Sequence, residues 1–306
     1  MKLTLNISNT ITNIRVVATI VIVLYHCACP YYAWNWGGYL GDIQIDRCVD
    51  VFFLHVLSDT MLPTFFMLSG ILIYGRTNIF DIHFTDVWKK FDRLCIPLFI
   101  ITAICAWLKK LGWHDSIDGH LWFIEVLFAY FCLSFSLFKF HPRYHFILGA
   151  FMHLVYIIST KKGIQFPWEF DHMLKYYLFF SAGYYVSLYA EIIRKSGLAR
   201  YGILALLVVC YLLRIQTLYV IMFNLFLIAW VSNQLVSNSL WQNVNKNSFA
   251  IYLLHHPLVV YLFYTQFFQN IYAYHAFTAI SLMFVVAFSI SWCMAEGLHR
   301  LGFKYF

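Results

Sequence analysis

The sequence predicts an all-α polytopic membrane protein with about ten transmembrane helices and both termini in the cytoplasm. Of its 306 residues, 62% are hydrophobic and only 11% are charged, whereas a soluble domain carries about 25% charged residues. The apolar runs have the length of membrane helices and lack the alternation of barrel strands. The third observation, the distribution of basic residues, sets the orientation.

Ten apolar segments are expected to form the helices. In chain order they cover about 14–34, 50–74, 94–109, 120–139, 144–159, 172–190, 201–215, 218–236, 248–265 and 276–295. If these segments alternate across the membrane, fourteen of the 21 Lys and Arg residues lie on the side of the termini and seven on the other side. The positive-inside rule then places both termini in the cytoplasm. Because the sequence contains no internal repeat and no linker, residues 1–306 are expected to form a single transmembrane domain.

The composition argues against nucleic-acid and metal chemistry. The net charge of +7 comes from basic residues scattered through short loops, so it predicts no nucleic-acid surface. Most of the eight cysteines lie in apolar runs and form no CxxC pair, which argues against a zinc site or a disulfide framework. The sequence therefore predicts no metal site.

The first segment carries two polar residues, Arg15 and His26. Eleven residues turn a helix through roughly 1100°, within about 20° of three full turns, and separate the two side chains by about 16 Å along one face. Ionisable groups inside membranes are usually functional, so this face indicates a path into the bilayer. The alternative is an arginine that extends to the surface and a histidine packed in the core.

The second segment contains Asp59, Pro63 and the pair Ser69-Gly70. Pro63 is expected to kink the helix, and Ser69-Gly70 to allow a close approach of another helix. Asp59 and His26 lie at similar depths from the outer end of their segments. We therefore hypothesise that Asp59 orients the imidazole as a triad carboxylate does; the alternative is a solvated Asp59 in an outer vestibule.

Lys90 and Arg93 precede the third segment on the predicted cytoplasmic side, and with Arg15 they would form a basic mouth. Arginine binds phosphate through two hydrogen bonds and lysine as a point charge. The alternative is the ordinary excess of basic residues in cytoplasmic loops. Glu125 lies about one turn inside the fourth segment, where burial costs less than at the midplane, and faces either an acceptor vestibule or water.

The ninth segment contains Tyr252, a weaker candidate for positioning a substrate, and the adjacent pair His255-His256. Neighbouring residues on a helix point about 100° apart, so the two histidines are a poor metal pair. His141 and His145 are separated by Pro142 in a loop, so the sequence offers no convincing HxxxH pair within a segment.

Five blocks occur in a characteristic order along nearly the whole chain. They are Arg15 and His26 with ten residues between them, FFMLSG at 65–70, Lys90 and Arg93 before Leu94 and Pro97, LWF at 121–123, and SFAIYLLH at 248–255. Together they resemble the motifs of the membrane acyltransferase 3 family, whose members O-acylate sugars of surface polysaccharides and other envelope glycans. The chain departs from that pattern at Lys90, where the family carries arginine, and at Pro63, where many members carry aspartate.

The resemblance implies transfer of an acyl group, expected to be acetyl, from acyl-CoA to a hydroxyl of a cell-surface polysaccharide or its lipid-linked precursor in the bacterial cytoplasmic membrane. Acetyl-CoA would be a donor substrate, with no permanently bound cofactor. Its phosphates would dock on Arg15, Lys90 and Arg93. His26 would act as general base or take the acyl group as a covalent relay, with Asp59 as its partner. The weaker candidates for positioning are Ser69, Glu125, Tyr252 and His255.

The partners implied by the resemblance are the acyl-CoA, the glycan acceptor, membrane lipids and glycan-assembly proteins. The sequence shows no SGNH hydrolase-like domain, so transfer is expected to be completed by the membrane domain or handed to a separate protein.

Two other functions compete with this interpretation. One is a precursor flippase or proton-coupled transporter that uses Arg15, His26, Asp59 and Glu125 as a pathway, although the repeated halves common in transporters are absent from the sequence. The other is a non-catalytic glycan-assembly subunit that has kept the fold.

Overall fold

The computed structural model describes residues 5–32, 59–76, 84–112, 118–137, 141–167, 169–231 and 238–303. Eleven helices occupy these ranges: α1 (Leu5–Tyr32), α2 (Asp59–Arg76), α3 (Phe84–Lys110), α4 (Trp122–Leu137), α5 (Pro142–Lys161), α6 (Phe170–Lys195), α7 (Gly197–Leu212), α8 (Gln216–Trp230), α9 (Ser239–Phe263), α10 (Gln266–Tyr274) and α11 (Ala276–Arg300). No strand occurs within them. The all-α prediction is confirmed.

Each of the ten predicted segments overlaps a helix, and α10 is an addition that hydropathy did not predict. The chain bends by 83° between α9 and α10. Three of the nine residues of α10 are amides, Gln266, Gln269 and Asn270, so the helix is too polar and too short to resemble a membrane span. It buries Phe268 and Tyr272, which is why it packs despite its amides.

Three of the described helices are long and apolar enough to cross a membrane: α1 over Ser8–Tyr31, α3 and α11. The count rises to five if the bent pairs α6–α7 and α9–α10 each form one span. Helices α2, α4 and α8 contain shorter apolar stretches. The protein is therefore a multi-pass membrane protein, while the ten spans and the cytoplasmic termini stay predictions. Residues 50–58 of the second predicted segment lie outside the described residues.

The chain divides into two compact units, which are described separately. The first comprises Met1–Arg15, Leu62–Phe91 and Glu125–Trp241, and the second comprises Val16–Met61, Asp92–Ile124 and Gln242–Phe306. The single-domain organisation of residues 1–306 stays a prediction.

In the first unit, α2 and α6 approach closely at two glycines. A Cβ atom on Gly70 would overlap the carbonyl of Phe180, and one on Gly183 would overlap the backbone at Gly70 and Ile71. Only glycine leaves room for this approach, which brings the two backbones into van der Waals contact. The predicted close helix approach at Gly70 is confirmed.

Two buried histidines of α5 stabilise the first unit, because each forms hydrogen bonds through both of its ring nitrogens. His153 Nδ1 donates to the Lys175 carbonyl at 2.8 Å, and its Nε2 accepts from the Thr217 hydroxyl at 2.9 Å. His145 Nε2 donates to the Leu137 carbonyl at 3.0 Å, and its Nδ1 lies 3.2 Å from a tyrosine hydroxyl. Both histidines are fully hydrogen-bonded packing residues.

In the second unit, tyrosine hydroxyls join α1 to α10. Tyr272 donates to the Cys27 carbonyl at 2.6 Å, and Tyr31 donates to the Tyr272 carbonyl at 2.8 Å. Asn247 of α9 donates to the Glu296 carboxylate of α11 at 3.2 Å. Buried hydroxyl and amide groups need such partners, and these bonds join α1 to α10 and α9 to α11.

Candidate active site

Four histidines of the second unit form a compact group, which we call the histidine cluster: His26 of α1, His120 in the turn before α4, and His255 and His256 of α9. The ring centroid of His26 lies 4.9 Å from those of both His255 and His256. The His120 ring stacks on His256 at 4.6 Å, with 24° between the ring planes, and lies 6.4 Å from His26. Three separate parts of the chain thus place their imidazoles together.

The tautomer of His26 follows from its neighbours. Its Nδ1 lies 2.9 Å from the carbonyl oxygen of Ile22, one turn earlier in α1, and 3.0 Å from Nε2 of His255. A carbonyl oxygen only accepts, so Nδ1 carries the hydrogen and Nε2 carries the lone pair. Nε2 makes no hydrogen bond with any residue that the structure describes. His26 is half-buried as a residue, and this lone pair is the one that the cluster leaves for a base at His26.

His255 is oriented to support His26. Its Nδ1 donates to the Ile251 carbonyl at 3.0 Å, which leaves the Nε2 lone pair to accept the hydrogen on Nδ1 of His26. The His255 side chain is fully buried, and burial disfavours a charged imidazole. The two histidines therefore form a neutral pair in which one ring accepts a hydrogen bond from the other.

His120 is held by α9 at two points. Its Nε2 donates to the Leu253 carbonyl at 3.2 Å, and the Tyr252 hydroxyl donates to the backbone carbonyl of His120 at 2.5 Å. Pro257 explains why the Leu253 carbonyl is available, because a proline has no N–H to offer the carbonyl four residues earlier. The predicted residue Tyr252 thus positions the turn that carries His120.

Three of the predicted site residues come together in this way: His26, Tyr252 and His255. His120 and His256 were not predicted. One sequence feature points to this region, the proline directly after His255-His256. It lacks an N–H group and therefore leaves one backbone carbonyl of the helix without its usual hydrogen bond. The partner of that carbonyl is a histidine more than a hundred residues earlier, and no local pattern identifies it.

The other predicted residues are placed individually. Lys90 Nζ lies 4.9 Å from the centre of the Phe131 ring, within the first unit. Arg93 is exposed on α3. Three predicted residues are half-buried: Arg15 on α1, Ser69 on α2 and Glu125 on α4.

Asp59 is the first residue of α2, and its side chain lies outside the described residues. The Asp59–His26 pair therefore stays a prediction, as does the basic mouth formed by Arg15, Lys90 and Arg93.

The cluster does not offer the geometry of a metal centre. Among the described residues, no group of three or more His, Cys, Asp or Glu side chains is arranged to hold a metal ion. Within the cluster, the Nε2 lone pair of His255 already accepts the hydrogen on Nδ1 of His26, so it is not available to a metal ion. Acid–base chemistry through the remaining lone pairs is what this arrangement supports.

A separate cavity of about 370 Å³ lies in the first unit between the end of α5 and the start of α6. Tyr156, Thr160, Asp171 and Lys175 are among the residues that line it. It contains none of the predicted site residues, so it is not part of the candidate active site.

Comparison with known families gives a match over nearly the whole chain. The acyltransferase 3 family model, described as an acyltransferase domain, matches residues 9–296. This range includes all four histidines of the cluster. No curated protein and no solved structure gives a significant match.

Proposed function

Since the chain belongs to the acyltransferase 3 family, a family of membrane acyltransferases, we propose that it transfers an acetyl group from acetyl-CoA to a hydroxyl of a cell-surface polysaccharide or its lipid-linked precursor. We place the reaction in the bacterial cytoplasmic membrane, with ten spans and both termini in the cytoplasm. The observation that carries the proposal is the tautomer of His26, which the Ile22 carbonyl sets and which leaves the lone pair on Nε2.

In the proposed reaction, His26 Nε2 removes the proton of the acceptor hydroxyl while its oxygen attacks the thioester carbonyl carbon. The new carbon–oxygen bond forms and the carbon–sulfur bond breaks, so CoA leaves as a thiolate. His26 then returns the proton to that sulfur, which regenerates the neutral imidazole and releases CoA as a thiol. No other reactant is needed.

His255 acts through His26. When Nε2 of His26 takes up the proton, the ring becomes a cation whose Nδ1 hydrogen is shared between the Ile22 carbonyl, 2.9 Å away, and the Nε2 lone pair of His255, 3.0 Å away. The hydrogen bond to His255 strengthens as the charge develops, because a charged donor binds more strongly than a neutral one. His255 takes the orienting place that a carboxylate has in a serine-protease triad.

For the donor, we propose that Arg15, Lys90 and Arg93 hold the phosphates of acetyl-CoA. Arg15 precedes His26 by eleven residues on α1, and the extended pantetheine arm is long enough to follow that helix. Lys90 contributes a point charge, whereas the arginines can each hold a phosphate with two hydrogen bonds.

The experiment that tests this function compares His26→Asn with the wild-type protein. An asparagine amide can still donate to the Ile22 carbonyl but supplies no base at the position of Nε2. We expect transfer of label from radiolabelled acetyl-CoA to an envelope-glycan extract to fall by about a hundredfold or more, the usual contribution of a general base, with the folded yield unchanged.

His141→Asn is the matched control. His141 is exposed at the start of α5, and asparagine is itself a good residue at a helix start, so we expect wild-type transfer. Retention of transfer by His26→Asn would contradict the proposal. Movement of a lipid-linked glycan across sealed vesicles without release of CoA would instead support a transporter.

A further inference from the structure

One buried lone pair of the histidine cluster is not used by the proposed reaction. The Nδ1 atom of His120 is inaccessible to solvent and has no hydrogen-bond partner among the residues that the structure describes, and the residue as a whole is only 3% exposed. Buried imidazole nitrogens normally have partners. His145 and His153, the buried histidines of the first unit, use both ring nitrogens, so His120 departs from the pattern of its own chain.

A 180° rotation of the His120 ring would not give the unpaired nitrogen a partner. Its Nε2 donates to the Leu253 carbonyl at 3.2 Å, and a carbonyl oxygen requires a donor. The backbone of the same residue is held by the Tyr252 hydroxyl. The hydrogen therefore stays on Nε2, and Nδ1 keeps a lone pair that needs a donor from outside the described protein groups.

We propose that His120 is a second substrate-contacting residue of the acyl-transfer site, whose Nδ1 accepts a hydrogen bond from an O–H or N–H group of a bound substrate. The inference rests on the proposed function. His26 Nε2 takes the single proton of the reacting hydroxyl, so His120 must receive a different donor. Two sources share this chemistry: a neighbouring hydroxyl of the acceptor sugar and an amide N–H of the pantetheine arm.

Because Nδ1 is buried, a donor reaches it only when neighbouring side chains move on substrate binding. His256 is the ring closest to His120, stacked at 4.6 Å, and side-chain rotamers at binding sites commonly change on binding. A substrate that enters beside His26 would shift His256 and give a donor a path to the lone pair in the plane of the His120 ring.

Two near-isosteric substitutions separate substrate contact from structural support. His120→Gln can place its amide near Nε2, where it donates to the Leu253 carbonyl but leaves no acceptor near Nδ1. His120→Asn does the reverse, because its shorter side chain places the amide oxygen near Nδ1 and offers Leu253 no donor. We expect kcat/KM to fall about tenfold or more in His120→Gln, the effect of one lost hydrogen bond to the substrate, with an unfolding temperature near that of the wild type.

We expect His120→Asn to keep more transfer than His120→Gln although it is less stable. A weaker affinity for acetyl-CoA in His120→Gln, measured by equilibrium dialysis, would identify the pantetheine amide as the donor. An unchanged affinity with a raised KM for the envelope-glycan extract would identify the sugar hydroxyl.

Transfer by His120→Gln equal to or above that of His120→Asn would overturn the inference, because it would show that only the Leu253 contact matters. Wild-type transfer by both would overturn it as well, since the lone pair would then need no more than a water molecule. These failures are distinguishable from failure of the proposed function. If His26→Asn is inactive while His120→Gln is fully active, only the inference about His120 fails.

Discussion

At the scale of single residues, the direction of each imidazole hydrogen decides what the histidine cluster can do. Ile22 and Ile251 each lie four residues before the histidine whose Nδ1 they bind, so both bonds are local to one turn of a helix. The polar face that carries His26 could therefore be predicted from the first segment alone, whereas the catalytic role proposed for His26 depends on the family resemblance. The contact between His120 and Leu253 depends on how distant parts of the chain pack, and no local pattern contains it.

His255→Asn tests the pairing of the two histidines. The amide of asparagine can still donate to the Ile251 carbonyl, but the acceptor for the hydrogen on Nδ1 of His26 is lost. Because His255 acts through His26, we expect kcat to fall about tenfold, which corresponds to about 1.4 kcal/mol in the barrier. The KM for acetyl-CoA should not change. A raised KM with an unchanged kcat would show that His255 contacts the substrate directly and does not position the base.

At the scale of helices, small residues and prolines determine where backbones approach and where carbonyls are free. Pro257 opens the Leu253 carbonyl to His120, and the glycines of α2 and α6 bring two backbones together. Both effects follow from residue chemistry that is visible in the sequence. The partner helix in each case was not predictable, because hydropathy reports that a helix is buried and not which helix covers it.

Gly70→Ala tests the close approach of α2 and α6. The added methyl group would overlap the Phe180 carbonyl, and overpacking of this kind costs about 1–3 kcal/mol. We expect a lower unfolding temperature in detergent and a reduced yield of folded protein. Gly202→Ala is the matched control, because nothing lies near its Cβ position and alanine is favoured over glycine inside a helix by about 0.5–1 kcal/mol. An equally stable Gly70→Ala protein would contradict the predicted packing.

At the scale of the whole molecule, composition alone identified a helical membrane protein, but the number of spans depends on more than hydropathy. Helices such as α4 and α8 are apolar and short, and a helix that is covered by others need not match the bilayer thickness on its own. Helix α9 carries buried Asn247, Ser248 and His255, which lower its hydropathy. Buried polar groups therefore weaken the pattern by which spans are counted.

The orientation of the chain is the last prediction, and reporter fusions test it. The count of fourteen basic residues against seven places the termini and the turn at Ser196 in the cytoplasm, and the turn at Gly163 outside. A fluorescent protein that folds only in the cytoplasm should be bright after Phe306 or Ser196 and dark after Gly163. This orientation also puts Arg15 on the side where acetyl-CoA is made, as the proposed donor site requires. Fluorescence after Gly163 and none after Phe306 would reverse the topology and place Arg15 on the side away from the donor.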